Sequence, residues 1–205
     1  MSHTEAEPLF RAVFATYYVV TLAVAFSFRN KARQRQTRNA TQRRASRERG
    51  AVLILRRVAG ILMIAAAVSY SVGLPFVTRF TAPIPFGVRV CFVPLAIVNI
   101  PLLVIVLRAL GRQWSTNLEI QPKHRLITTG PYARVRHPLY AMIFLTMFAL
   151  AGIASNWLLI VPALTAATTI YLRIPEEERM MVKEFPEDYP AYMKRTGRIL
   201  PPLFR

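Results

Sequence analysis

The chain has 205 residues, 54% of them apolar or aromatic, and carries 27 Lys and Arg against 10 Asp and Glu, a formal net charge of +17. A surplus of that size invites a nucleic-acid partner, but the basic residues fall between apolar segments, with no zinc-finger spacing and no basic sheet interleaved with aromatics, so nucleic acid is set aside. The single cysteine, Cys91, excludes an internal disulfide and is read as a small apolar packing residue.

The apolar residues are bunched, and the bunches are long enough to cross a hydrocarbon core of about 30 Å. The first runs over residues 9–28, after an acidic start and without a small-residue cleavage pattern, so it is not read as a signal peptide. Residues 29–57 hold eleven Lys or Arg and are expected to form a basic linker, partly helical at most. Such a linker can set topology or hold anionic headgroups, at about 1 kcal/mol per charge. A second crossing is expected over 58–77 and a third over 84–107, where Pro94 and Pro101 predict kinks. Residues 108–138 are polar. The apolar run 139–172 is too long for one crossing. Gly152, Ser155, Asn156 and Pro162 divide it into helices over about 139–154 and 157–172, with the turn at Ser155–Asn156 read as structural. The fold class expected is an all-α integral membrane protein with about five transmembrane helices. Residues 1–107 would form a three-helix membrane part and 108–205 the functional part.

Charge orients these crossings. Residues 29–57, 108–138 and 173–205 together hold 24 of the 27 Lys and Arg. All three regions fall on one side of a five-crossing chain, so they are expected to be cytoplasmic and the N-terminus outside.

Two polar clusters lie at the ends of apolar segments. One is Thr-Gly-Pro-Tyr-Ala-Arg-Val-Arg-His-Pro-Leu-Tyr at 129–140. The other is Arg173, Pro175 and the glutamates Glu176, Glu177 and Glu178. Pro138 pushes His137 out of the helical region and is suited to the first position of a helix. The free N–H groups of Leu139 and Tyr140 would then suit a carboxylate. Glu177 can accept hydrogen bonds from hydroxyls or an amine, and Tyr132 and Tyr140 offer flat faces with a polar tip. The residues alone leave other readings open. Arg, His and Tyr at a helix end also serve as an interfacial anchor. Pro175 followed by acids is a common helix start, which predicts a short helix over about 175–185. Arg173 could snorkel, and His124 could be a surface loop residue.

Arg-His-Pro-Leu-Tyr at 136–140 resembles the Arg-His-Pro-x-Tyr motif of the isoprenylcysteine carboxyl methyltransferases, a group of membrane enzymes related to phospholipid methyltransferases. Glu177–Glu178 resembles the second motif of that group. Leu110-Gly111, Trp114-Ser115, the stretch 124–130, and the closing Glu187-Asp188-Tyr189, Tyr192 and Thr196-Gly197-Arg198 are also similar to the family. The resemblance covers about 108–201 and corresponds to a compact microbial form. It implies S-adenosylmethionine as cofactor, bound at the cytoplasmic face of a microbial plasma membrane. By position in the motifs, it implies Asn117, His124, Leu126, Ile127, Tyr132, His137, Pro138, Leu139, Tyr140 and Glu177 as cofactor-binding residues. Arg173 would be the catalytic, substrate-binding residue, and no metal is implied. The acceptor would be a prenylated cysteine or another lipid-like acid entering among membrane lipids.

A carboxylate acceptor is ionised at neutral pH, since an α-carboxyl titrates near ~3.5, so it needs alignment and exclusion of water rather than a general base. Arg173 can hold such a carboxylate in one plane. A lipid amine acceptor would instead need His137 or Glu177 as base. Lipid amine N-methylation is therefore the principal alternative. A nicotinamide-dependent reductase and a non-catalytic membrane protein of the same architecture are further ones.

Overall fold

A computed structural model of the chain describes residues 3–36, 44–45, 50–111, 119–120 and 126–202. In chain order it consists of α1 (His3–Gln36), a two-residue strand β1 (Arg44–Ala45), α2 (Gly50–Val72), a 3-10 turn (Pro75–Phe80), α3 (Phe86–Leu110), a two-residue strand β2 (Glu119–Ile120), a second 3-10 turn (Gly130–Ala133), α4 (Pro138–Ala154), α5 (Trp157–Glu184) and α6 (Asp188–Arg195). β1 and β2 pair antiparallel, Arg44 opposite Ile120. Among the described residues, everything else assigned to a regular element is helical.

Among the described residues, four helices are long and apolar enough to cross a membrane: α1, α2, α3 and α5. At 1.5 Å per residue the 17 residues of α4 rise about 26 Å, short of a ~30 Å core. The expectation of about five crossings therefore stands at four by length, with α4 as a shorter apolar helix. Boundaries also differ. α1 runs well past residue 28 into the basic linker, and α2 begins at Gly50, so Arg56 and Arg57 are helical. α3 keeps its helical assignment through Pro94 and Pro101. α5 continues through Pro175 to Glu184, so the short separate helix expected after Pro175 does not exist. α5 packs against both α2 and α4.

α3 packs along α4, α2 along α5, and α1 against α4, α2 and α3, so helices from the two ends of the chain interleave. The core is aromatic on α1 (Phe10, Phe14, Tyr17) and small on α4 and α5 (Ala149, Ala154, Ala163), which lets those backbones approach closely. Residues such as Ile61, Ile64 and Val68 on α2 and Ile97 and Ile105 on α3 face outward, as a lipid-facing surface would. Cys91 is also exposed, against the packing role expected, with its thiol on the Gly87 carbonyl of its own helix.

Two polar devices join the bundle. Near the middle, Asn99 on α3 is fully buried and donates to the Tyr17 hydroxyl and the Thr146 hydroxyl, both at 2.9 Å. At one end, Arg89, 1% exposed, donates to Glu7 (2.8 Å), the Tyr70 hydroxyl (3.2 Å) and the carbonyl of Ile153 (2.8 and 3.1 Å). It also lies 3.9 Å from the Phe10 ring centroid. A cation on the last carbonyls of α4 satisfies acceptors that the helix itself leaves unused.

The same end holds the α4–α5 turn. Ser155 adopts left-handed backbone (φ 48°), and its hydroxyl donates to the Ala82 carbonyl at 2.7 Å. Asn156 caps α5 by accepting from Leu158 N–H at 3.0 Å, and its amide donates to the Val77 carbonyl. Gly73 closes α2 at φ 71° in a Schellman pattern, and a Cβ there would strike the Arg11 guanidinium. α4 thus starts at one end of the bundle and finishes against the connection between α2 and α3 at the other.

Candidate functional site

The end opposite Arg89 collects both sequence clusters. Residues 130–133 make a single 3-10 turn, after which the chain extends through 134–137 and enters α4 at Pro138. His137 has φ −123° and ψ 57°, the non-helical backbone expected ahead of proline, and Pro138 takes the first helical position. No side chain caps α4, so its first N–H groups, on Leu139 and Tyr140, face a position without a protein cap.

Residues 134–137 are held by the chain that follows α6. Val135 and Gly197 form a parallel bridge. Gly197 N–H donates to the Arg134 carbonyl, Arg136 N–H to Gly197, and His137 N–H to Arg198, at 2.8–3.0 Å. Gly197 is required sterically, because a Cβ there would collide with the Leu200 carbonyl. The Arg136 guanidinium donates to the carbonyls of Met193 and Thr196. The Tyr192 hydroxyl donates to the Tyr132 carbonyl at 2.6 Å, which fixes the turn from the other side.

The adjacent glutamates of α5 have different surroundings. Glu178 is 4% exposed. Its Oε1 accepts from Arg136 Nε at 2.9 Å and its Oε2 from Arg198 at 2.9 Å. His137 Nε2 lies 3.4 Å from Oε1, in contact but outside hydrogen-bond geometry. Glu177 is half-buried and accepts from the Tyr140 hydroxyl at 2.7 Å. The Tyr140 ring stacks on the His137 ring, with centroids 5.5 Å apart and planes 8° apart. Burial, and after it the Glu177 carboxylate, push the Tyr132 phenol above its usual range, so Tyr132 is a neutral donor rather than a base. Arg173, buried on α5, and Arg56, on α2, both lie within electrostatic range of Tyr140.

The structure therefore brings together His137, Pro138, Tyr140 and Glu177, with Tyr132 and Arg173 alongside. Leu139 is half-buried in the first turn of α4. Leu126 and Ile127 are half-buried in the irregular segment ahead of the 3-10 turn, and no described hydrogen bond ties them to the Tyr140–Glu177 pair. Asn117 and His124 lie outside the described residues. Sequence reasoning gave no role to Arg136, Arg198 or Arg56. Arg136 and Arg198 sit inside stretches that were singled out, but the pairing of 134–137 with 196–198 leaves no periodic signal. Arg56 was one of eleven cations in a linker.

Fold and site together define a polytopic membrane protein whose polar site lies where one short apolar helix starts and the next long one ends. Residues 92–183, from α3 through most of α5, match the sequence model of the isoprenylcysteine carboxyl methyltransferase (ICMT) family. The matched stretch covers just under half of the chain and holds both polar clusters. Among curated proteins it is similar to the nickel-cobalt-cadmium resistance protein NccN of Alcaligenes xylosoxydans xylosoxydans, 29% identical over 53% of this chain and 51% of the relative. It is also similar to the cobalt-zinc-cadmium resistance protein CzcN of Cupriavidus metallidurans, 31% identical over 47% of this chain and 45% of the relative. The chain spans about half the length of the curated relatives it matches. Among the described residues, no group of three or more His, Cys, Asp or Glu is placed to hold a metal ion.

Proposed function

We propose that the chain is an S-adenosylmethionine-dependent membrane methyltransferase that esterifies the carboxylate of a prenylated cysteine or a similar lipid-like acid. The observation that carries this reading is the 2.7 Å hydrogen bond from Tyr140 to Glu177, which joins the start of α4 to the end of α5 beside the His137 ring. The family match is the second support. α4 ends against the connection between α2 and α3, which favours counting it as a fifth crossing. With five crossings the basic loops and this site share one side, and the positive-inside bias makes that side cytoplasmic.

The residues fit the cofactor chemically. S-adenosylmethionine supplies an electrophilic methyl group on a sulfonium. The uncapped N–H groups at the start of α4 suit its carboxylate. Glu177 accepts one hydrogen bond from Tyr140, and a carboxylate has capacity for more, from ribose hydroxyls or the amine. Tyr132, Tyr140 and His137 provide flat faces for an adenine. Arg173 orients an acceptor carboxylate by planar, charge-assisted hydrogen bonds. Because that carboxylate is already ionised, no side chain has to remove a proton, and the protein's work is alignment and exclusion of water.

The test is transfer of radiolabelled methyl groups to S-farnesylated and S-geranylgeranylated cysteine, run beside a panel of membrane lipids. Base-labile ester is the expected product, and a base-stable amine would transfer the assignment to lipid N-methylation. Arg173→Ala should lower acceptor turnover by about 100-fold while cofactor affinity, read by calorimetry in detergent, stays at the wild-type value. Equal loss of both would remove Arg173 from the acceptor role.

A further inference from the structure

Glu177 and Glu178 are neighbours in the chain and differ in what surrounds them. Glu177 meets a neutral hydroxyl. Glu178 is buried against two guanidiniums that come from two paired segments, Arg136 from the segment entering α4 and Arg198 from the segment leaving α6. Arg136 also reaches across to the Met193 and Thr196 carbonyls, so one side chain ties three parts of the chain together. The backbone repeats the connection through the bridge of Val135 with Gly197 and the bonds from the Arg136 and His137 amides. A carboxylate that is almost fully enclosed and holds two cations is not available to a ligand. Its effect is to fix where His137 sits, since the imidazole lies 3.4 Å away and stacks on Tyr140.

We infer that Glu178, Arg136 and Arg198 form a clamp by which residues 196–198, lying as a strap along residues 134–137, set the position of His137 at the mouth of the site. Glu178 is thus a positioning residue, and the strap belongs to the cofactor site without touching the cofactor. The effect on catalysis rests on the methyltransferase reading above, whereas the clamp itself does not.

The clamp has a readout that needs no cofactor. In the full chain in detergent, the amides of Arg136, His137 and Gly197 should be protected from hydrogen exchange. Arg198→Ala and Glu178→Gln should each speed exchange at these three positions about tenfold. The amides of Ser155 and Leu159 at the other end should keep their wild-type rates. Arg198 has a side chain 42% exposed, so its truncation leaves the bundle intact where Glu178→Gln fails to fold. The functional arm is a kinetic split. Arg198→Ala should raise the KM for S-adenosylmethionine about tenfold and leave the KM for S-farnesylcysteine unchanged, and Arg198→Lys should restore most of the loss. Unchanged exchange at 136–137 in Arg198→Ala overturns the clamp. Faster exchange with a cofactor KM within about twofold of wild type shows that the strap does not position the site, and overturns the inference as well. A wild-type protein that neither binds nor consumes S-adenosylmethionine refutes the functional reading by itself, and the exchange rates then decide the clamp alone.

Discussion

The molecule has an arginine–carboxylate cluster at each end, and the two are built differently. At one end, every nitrogen of the Arg89 guanidinium donates to a protein acceptor: Glu7, Tyr70 and the last carbonyls of α4. Four helices converge there. At the other end, Glu178 is likewise enclosed, but the preceding residue, Glu177, shares only the Tyr140 hydroxyl among the described hydrogen bonds and remains half-buried. Beside it lie an uncapped helix start and the stacked rings of His137 and Tyr140. Saturated polar groups hold helices together, and unsaturated capacity next to a saturated clamp is what a ligand site requires. A buried Arg is thus structural or functional according to its partners, whatever its depth.

Substitutions at the two ends should separate these roles. The largest effect is expected from Arg89→Ala. It leaves Glu7 with only the more distant Arg11, at 3.8 Å, and the end of α4 without its cation, and loss of one partner of a buried pair costs about 3 kcal/mol or more. The thermal midpoint in detergent should drop sharply, while the folded fraction keeps wild-type affinity for S-adenosylmethionine. A change in affinity would mean that the two ends are coupled and the contrast is false. Next is Glu177→Gln, expected to weaken cofactor binding about 100-fold, equivalent to about 2.7 kcal/mol, with the midpoint unmoved. Calorimetry checks the first part and a melting curve the second, and a fall in midpoint alone would make Glu177 structural like Glu178. The smallest effect is expected at the centre. Asn99→Leu removes the bonds to Tyr17 and Thr146, and such bonds between membrane helices average about 0.6 kcal/mol. A small loss of stability with full methyl transfer would place Asn99 with the Arg89 end, as a helix tie.

Much of this was legible in the chain. The apolar runs marked the long helices, because a bilayer demands their length whatever they pack against. Ser155–Asn156 marked the turn, because a left-handed residue and an amide cap are local devices. Pro138 marked the start of α4 for the same reason. Pro175 misled, since proline followed by acids reads locally as a helix start, whereas α5 continues through it to Glu184. Cys91 misled because an apolar neighbourhood in sequence does not reveal which face of a helix meets lipid.

Sequence alone determined a helical membrane protein and the residue types gathered at 132–140 and 173–178, since these follow from hydropathy and proline chemistry acting over a few residues. Tertiary structure alone decided which of the two glutamates is enclosed and that residues 196–198 lie against residues 134–137. It also decided that Arg89 reaches α4 and that Arg56 comes near Tyr140. Those pairings join positions far apart in the chain, as does the hydrogen bond from Arg89 to Glu7 across 82 residues, and only the packing of the helices brings such groups together.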